Sequence, residues 1–302
     1  GWNLGCTFIQ DDLQVGHDIY CTTWENLEQD ALYEHPNISK LMDSKIVYCA
    51  DEAYYKRLDM LRKQANDILT SPFSKEDYVK AENMLREAEH FYTEAMLSEE
   101  MSEALENAGG VIYYVENALA MLNKQYFHYG TKRTYEELNT MKNRPEKLVE
   151  IIESIISANS AMRVKEQLTL LLKETKMLFQ KTYESLSLQK KAVTADILRG
   201  TYEEMYSNWL NKMHYAAKTG NRHLAFMSLV SFNAMLFEIG CESDIGRYNV
   251  FSGFDSENLQ KTAEMFDDII GEYLKEYKKA DLKVEHYSDI ETFVIDYLNT
   301  AR

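Results

Sequence analysis

Apolar residues recur at three- and four-residue steps through almost the whole of this 302-residue chain. That period restricts it to packed helices. Tyr54, Leu58, Leu61, Ala65 and Ile68 form one such stripe, and Val111, Val115, Ala118, Leu119, Leu122 and Tyr126 form another. Only the first fifty residues break the pattern. Val15-Gly16-His17-Asp18-Ile19-Tyr20-Cys21 reads as a strand carrying an acid, and Lys45-Ile46-Val47-Tyr48-Cys49 as a second short strand after a helix-like 23–42. The expected fold class is therefore mainly α. A helical bundle body over 51–302 follows a small α/β piece over 1–50, and the body divides into sub-bundles at 51–190 and 191–302. Strands 15–21 and 45–49 are expected as neighbours in one sheet, parallel by preference because a helix links them. So small a sheet cannot bury its faces alone. Its partner strands are expected upstream of residue 1, with Gly1-Trp2 read as a cut or an expression scar.

Helix boundaries follow from local chemistry. Thr22 to Glu25, Thr134 to Glu137 and Ser288 to Glu291 each pair a hydroxyl with a carboxylate three residues on, the pattern of a capping box. The prolines, Pro36, Pro72 and Pro145, fall between helical patterns. A long helix is expected from Lys75 to Asn107, stopped by Gly109-Gly110. Further helices are expected at 146–157, 161–190, 202–218, 222–239, 256–279 and 289–299. The glycine-bearing 240–254 is the one long irregular loop, and such loops are often functional.

Net charge is −16. A field of that sign disfavours broad nucleic-acid or anionic-membrane binding, while allowing a local basic pocket. Cys6, Cys21, Cys49 and Cys241 show no metal-binding spacing and suit a reducing compartment, so a cytoplasmic location is expected. No apolar run approaches the length of a membrane span. Phosphate-cradling glycine loops, HExxH and GxSxG are absent.

Four places could carry chemistry. Asp18 is either a solvated edge residue or a metal ligand on a sheet. Tyr113, Asn117, Ala120 and Lys124 share one helical face with Glu116 at its margin; the small Ala leaves room for a ligand or for a packed helix. The basic, aromatic turn 123–133 sets Lys132 and Arg133 before a helix start, where an anion is favoured; the alternative is a solvated loop. Polar and aromatic residues also mix at 208–214 and 220–223, lining a pocket or forming a satisfied network between helices.

Residues 15–62 resemble the later part of a nucleotidyltransferase palm. The resemblance is carried by His17-Asp18-Ile19-Tyr20, Trp24 to Glu28, His35-Pro36, Ile38 to Tyr48 and Arg57-Leu58. Ala108 to Lys124 and Tyr126-Phe127 resemble the accessory bundle of aminoglycoside-type nucleotidyltransferases. The resemblance implies transfer of a nucleoside monophosphate from a nucleoside triphosphate to a hydroxyl of a small molecule, with Mg²⁺. It makes Asp18 the third metal-binding carboxylate. Lys124, Lys132 and Arg133, with Tyr113 and Asn117, are the candidate substrate-binding residues, the three cations being placed by charge. The family's Gly-Ser turn and Asp-x-Asp pair are not in this sequence and are expected before residue 1. The alternative is a non-catalytic helical interaction or ligand-sensing protein.

Overall fold

The computed structural model describes residues 6–12, 14–186 and 192–300, without the side chains of Cys6, Asp18 and Thr300. It is mainly helical, 69% helix and 3% strand. Contacts divide it into two compact units, residues 1–186 and 187–302.

The first unit opens with strands β1 (Cys6–Gln10) and β2 (Val15–Ile19), paired antiparallel. The chain reverses between the two strands, where Gln14 takes a left-handed backbone (φ 52°) and its side-chain amide donates to the Asp11 carbonyl at 2.8 Å. Phe8 stacks on its directly opposed partner His17 at 4.8 Å, and His17 Nε2 lies 3.1 Å from Oε1 of the diagonally placed Gln10. The expected partnership of 15–21 with 45–49 is thus corrected. β2 pairs with the preceding strand, and the pairing is antiparallel. Residues 45–49 form no strand. Ile46, Val47 and Tyr48 have the composition of a strand but no ladder partner, and Val47 is 96% exposed. A short turn closes a hairpin far more cheaply than a helical crossover closes a parallel pair.

The helix-like 23–42 is two helices, α1 (Trp24–Ala31) and α2 (Ser39–Met42). Thr23, not Thr22, caps α1, accepting from the Asn26 amide. Both helices pack on α3 (Glu52–Thr70). Arg57 reaches back to Glu28 at 2.6 Å and covers the Trp24 ring. Arg62 donates to the carbonyls of Leu41 and Ser44, satisfying the end of α2.

The helix expected over 75–107 is broken in two. α4 (Lys75–Leu97) folds back on α5 (Met101–Leu122). Lys165 donates to the carbonyls of Met96 and Ser98, and these last-turn partners stabilise the break. Gly109-Gly110 stops nothing. Both lie inside α5, and a Cβ at Gly110 would run into the Phe91 ring. The missing side chain is what lets the two helices approach. Ala81, Ala88 and Ala95 of α4 and Ala104 and Ala108 of α5 are buried in the same core. The capping box that forms is Ser74 with Asp77, at the start of α4.

After a 3₁₀ turn (Gly130–Arg133) come α6 (Thr134–Thr140), α7 (Leu148–Ile156) and α8 (Ala161–Leu186). The expected Thr134–Glu137 box does not form. Thr134 donates to carbonyls of the preceding turn, while Glu137 accepts from the amides of His128 and Tyr129.

The second unit comprises α9 (Ala195–Leu198), α10 (Thr201–Glu204), a π-helical turn (Met205–Leu210), α11 (Asn211–Thr219), α12 (Arg222–Glu242), α13 (Leu259–Lys279) and α14 (Ile290–Thr300). Gly200 and Gly220 take left-handed backbones at two of its turns. Phe232 and Phe266 meet edge to face at 4.8 Å in its core. The irregular 243–258 is packed rather than loose: Ser243, Ile245 and Val250 are buried in it. At 288–291 the cap is Asp289, accepting from the Thr292 amide, in place of the expected Ser288–Glu291 box. The expectation of no membrane-length run is also corrected. By length and composition α12 could cross a membrane, although Ala225, Leu229 and Phe232 on it are buried in this unit's core.

Candidate functional site

The site grows out of the end of α5. Its last turn is closed by Asn123, whose side-chain amide donates to Leu119 and Asn143 carbonyls and whose Oδ1 accepts from the Asn143 amide. Lys124 then takes a left-handed backbone (φ 51°), which turns the chain sharply away from the helix axis. Tyr33 fixes the next residue, its hydroxyl donating to the Gln125 carbonyl at 2.6 Å. Tyr33 is itself buried, and burial first, then the Asp77 charge, raise its hydroxyl well above the ordinary tyrosine range. The aromatic turn is thereby clamped to the core.

Beyond this clamp lies a pocket of about 430 Å³, within the size of small-molecule sites. Leu69 of α3 supplies an apolar wall, and Gln125, Tyr126, His128 and Tyr129 supply the aromatic turn. Arg133, Glu136, Glu137 and Thr140 close the far side from α6 and the 3₁₀ turn before it. The rings form an array, with Tyr126 and His128 centroids 4.1 Å apart and His128 and Tyr129 6.0 Å apart. Asp43, outside the lining, holds two of them. It accepts from the Tyr126 hydroxyl at 3.0 Å and lies 3.0 Å from His128 Nδ1. Burial first, then this carboxylate, raise the Tyr126 hydroxyl above its usual range, so it donates rather than ionises.

The expected cations are present but occupied. The Lys124 side chain is 7% exposed. Its ammonium donates to Ser71 Oγ at 2.7 Å and to Asp77 Oδ2 at 3.2 Å. Burial alone would raise the Asp77 carboxyl; Ser74 and Lys124 more than offset that and hold it below the ordinary value. Arg133 pairs with Glu136 at 2.6 Å and lies over the Tyr129 ring at 4.3 Å. Lys132 is exposed in the 3₁₀ turn, outside the pocket lining.

The other expected residues lie elsewhere. Tyr113 is half exposed, and its hydroxyl accepts from Asn37 Nδ2 at 3.1 Å. Asn117 is buried and donates to the Tyr113 carbonyl of its own helix. Ala120 is fully buried in helix packing. Asp18 stands in β2 opposite Thr7, its side chain lying outside the described residues. At 208–214 and 220–223 three of the polar groups find partners: His214 meets Asp267 at 2.9 Å, Arg222 pairs with Glu257, and Asn221 caps α12.

Sequence reasoning gave Asp43 no role at the turn and Glu137 only that of a helix cap, yet these two carboxylates shape it. Nothing local marks the turn that either serves. It also passed over the state of Glu116. With no hydrogen-bond donor facing it among the described residues, burial pushes this carboxyl up to about 7.

Among the described residues no group of three or more His, Cys, Asp or Glu side chains gathers to hold a metal ion. By themselves these residues do not make up a magnesium site, which takes several oxygen ligands. Compared with known protein families, curated proteins and solved structures, the chain matches none.

Proposed function

We propose that the chain is the later palm and helical body of a nucleotidyltransferase, serving transfer of a nucleoside monophosphate from a nucleoside triphosphate to a hydroxyl of a small molecule. The observation that carries this reading is the β1–β2 ribbon. Asp18 stands within β2, and Phe8, Ile9, Val15 and Ile19 on the two strands are each more than 40% exposed. A two-stranded ribbon presenting that much apolar surface is marginal alone and suits a larger sheet. Asp18 is then the carboxylate such a sheet presents to a metal, with the remaining acids supplied from outside the described residues. The free thiols of Cys21, Cys49 and Cys241 suit a reducing cytoplasm.

The gene supplies the direct test. A Gly-Ser turn followed by Asp-x-Asp, in frame upstream of Gly1, supports the reading, and Asp18→Asn in that longer protein is then expected to abolish transfer while leaving the helical circular-dichroism signal unchanged. A reading frame without that motif overturns it.

One observation favours a second reading, a ligand-sensing helical protein. The pocket is complete within the first unit, and two of its own carboxylate partners neutralise its cations. In that case a small molecule binds and no nucleotide is consumed.

A further inference from the structure

We infer that the pocket behind the aromatic turn binds a flat, uncharged heteroaromatic ring, the base of a nucleoside, and contributes nothing to phosphate. The choice of a nucleoside rests on the nucleotide-handling reading above; the stacking argument does not.

Three features of the pocket lead there. First, its electrostatics do not suit an anion. A phosphate entering beside Lys124 would have to displace Asp77 from a pair that is almost wholly buried, and one beside Arg133 would compete with Glu136 at 2.6 Å. Glu137 faces the same space, its charge already directed at the His128 and Tyr129 amides. Counting Lys124 and Arg133 against Asp77, Glu136, Glu137 and Asp43 leaves the neighbourhood acidic, as is the chain as a whole.

Second, the surfaces on offer are planar. Tyr126, His128 and Tyr129 line the pocket as successive rings tilted by 41° and 42° to one another, Tyr126 and His128 held by Asp43 and one face of Tyr129 covered by Arg133. Every base has a π face that such rings accept, with little dependence on charge.

Third, polar groups remain at the rim to read an edge. The Gln125 amide has its backbone fixed by Tyr33 while no side-chain partner is found for it among the described residues. An amide side chain matches the paired donor and acceptor of a base edge. With Nδ1 engaged by Asp43, His128 keeps Nε2 for a second contact.

The test is calorimetric titration of the whole chain, without metal, using adenosine, guanosine, cytidine and uridine, their triphosphates, and tripolyphosphate. At least one nucleoside is expected to bind with a Kd within threefold of its triphosphate, with little change between 0.05 and 0.5 M salt. Tripolyphosphate is expected not to bind. Tyr129→Ala, at a 62% exposed position, is expected to weaken nucleoside binding at least tenfold, about 1.4 kcal/mol, with an unchanged thermal midpoint. Gln125→Ala is expected to flatten the preference among bases. Lys132→Ala is expected to leave nucleoside binding unchanged, and loss of transfer in Asp18→Asn of the longer protein against loss of nucleoside binding in Tyr129→Ala separates the two readings. A triphosphate binding more than tenfold tighter than its nucleoside, with the gain lost at high salt or in Lys132→Ala, overturns the inference. So does the failure of every nucleoside to bind.

Discussion

Glu116 is a carboxyl whose chemistry departs from what its neighbours in sequence suggest. It sits half-buried on α5 near Tyr135, whose hydroxyl donates to Glu153 at 2.7 Å rather than to Glu116. Burial without a donor raises its carboxyl to about 7. A folded-state value above the unfolded one means that the folded chain holds this proton more tightly. Stability is then highest below the ordinary carboxylate range and falls as pH rises through about 7. Ionisation of this one group costs up to roughly 3 kcal/mol above pH 8. Glu116→Gln is therefore expected to leave urea stability near pH 5 almost unchanged and to raise it by about 1–3 kcal/mol at pH 8. An equal effect at both pH values would mean that the carboxyl titrates normally. At this scale the sequence was least legible. It showed that 123–133 gathers cations and aromatics, and the structure places Lys124 and Arg133 on one pocket. It could not show that Lys124 is claimed by Asp77, 47 positions earlier, because an ion pair across a fold leaves no periodic trace.

Among the elements, those with a long apolar period were readable and those depending on a partner were not. α3, α7 and α13 lie close to where their stripes put them. β1 was missed because five residues with no Asn-Gly or Asp-Gly turn carry little signal. Residues 45–49 misled in the other direction, since β-branched and aromatic composition makes a strand only where another strand is at hand. Gly109-Gly110 misled because a glycine pair reads as a stop, whereas here Gly110 serves the contact with Phe91. The two glycines give an internal control. Gly110→Ala is expected to destabilise by about 1–3 kcal/mol through overlap with a ring already stacked on Tyr114. Gly109→Ala, with nothing within 4 Å of its Cβ, is expected to stabilise by up to about 1 kcal/mol through helix propensity. Urea denaturation of both variants checks this, and a reversed order would place the close approach of α4 and α5 elsewhere.

For the whole molecule, each of the two units encloses its own apolar core. Scanning calorimetry is expected to resolve two transitions. Phe232→Ala, at a fully buried position of the second core, is expected to lower one of them by about 3–5 kcal/mol and leave the other in place. A single transition displaced as a whole would show the cores to be coupled. The ribbon at the start of the chain has a different consequence at this scale, one of colloidal behaviour. Its outer backbone edges and apolar faces can template pairing between molecules, yet every molecule carries a net charge of −16 and repels its neighbours. That repulsion reaches about 10 Å at 0.1 M salt and about 3 Å at 1 M. Light scattering is expected to report single chains in dilute buffer and growing, β-rich assemblies as salt is added, an order opposite to ordinary charge-driven clustering. Ionic strength, more than temperature, would then decide whether the protein stays dispersed.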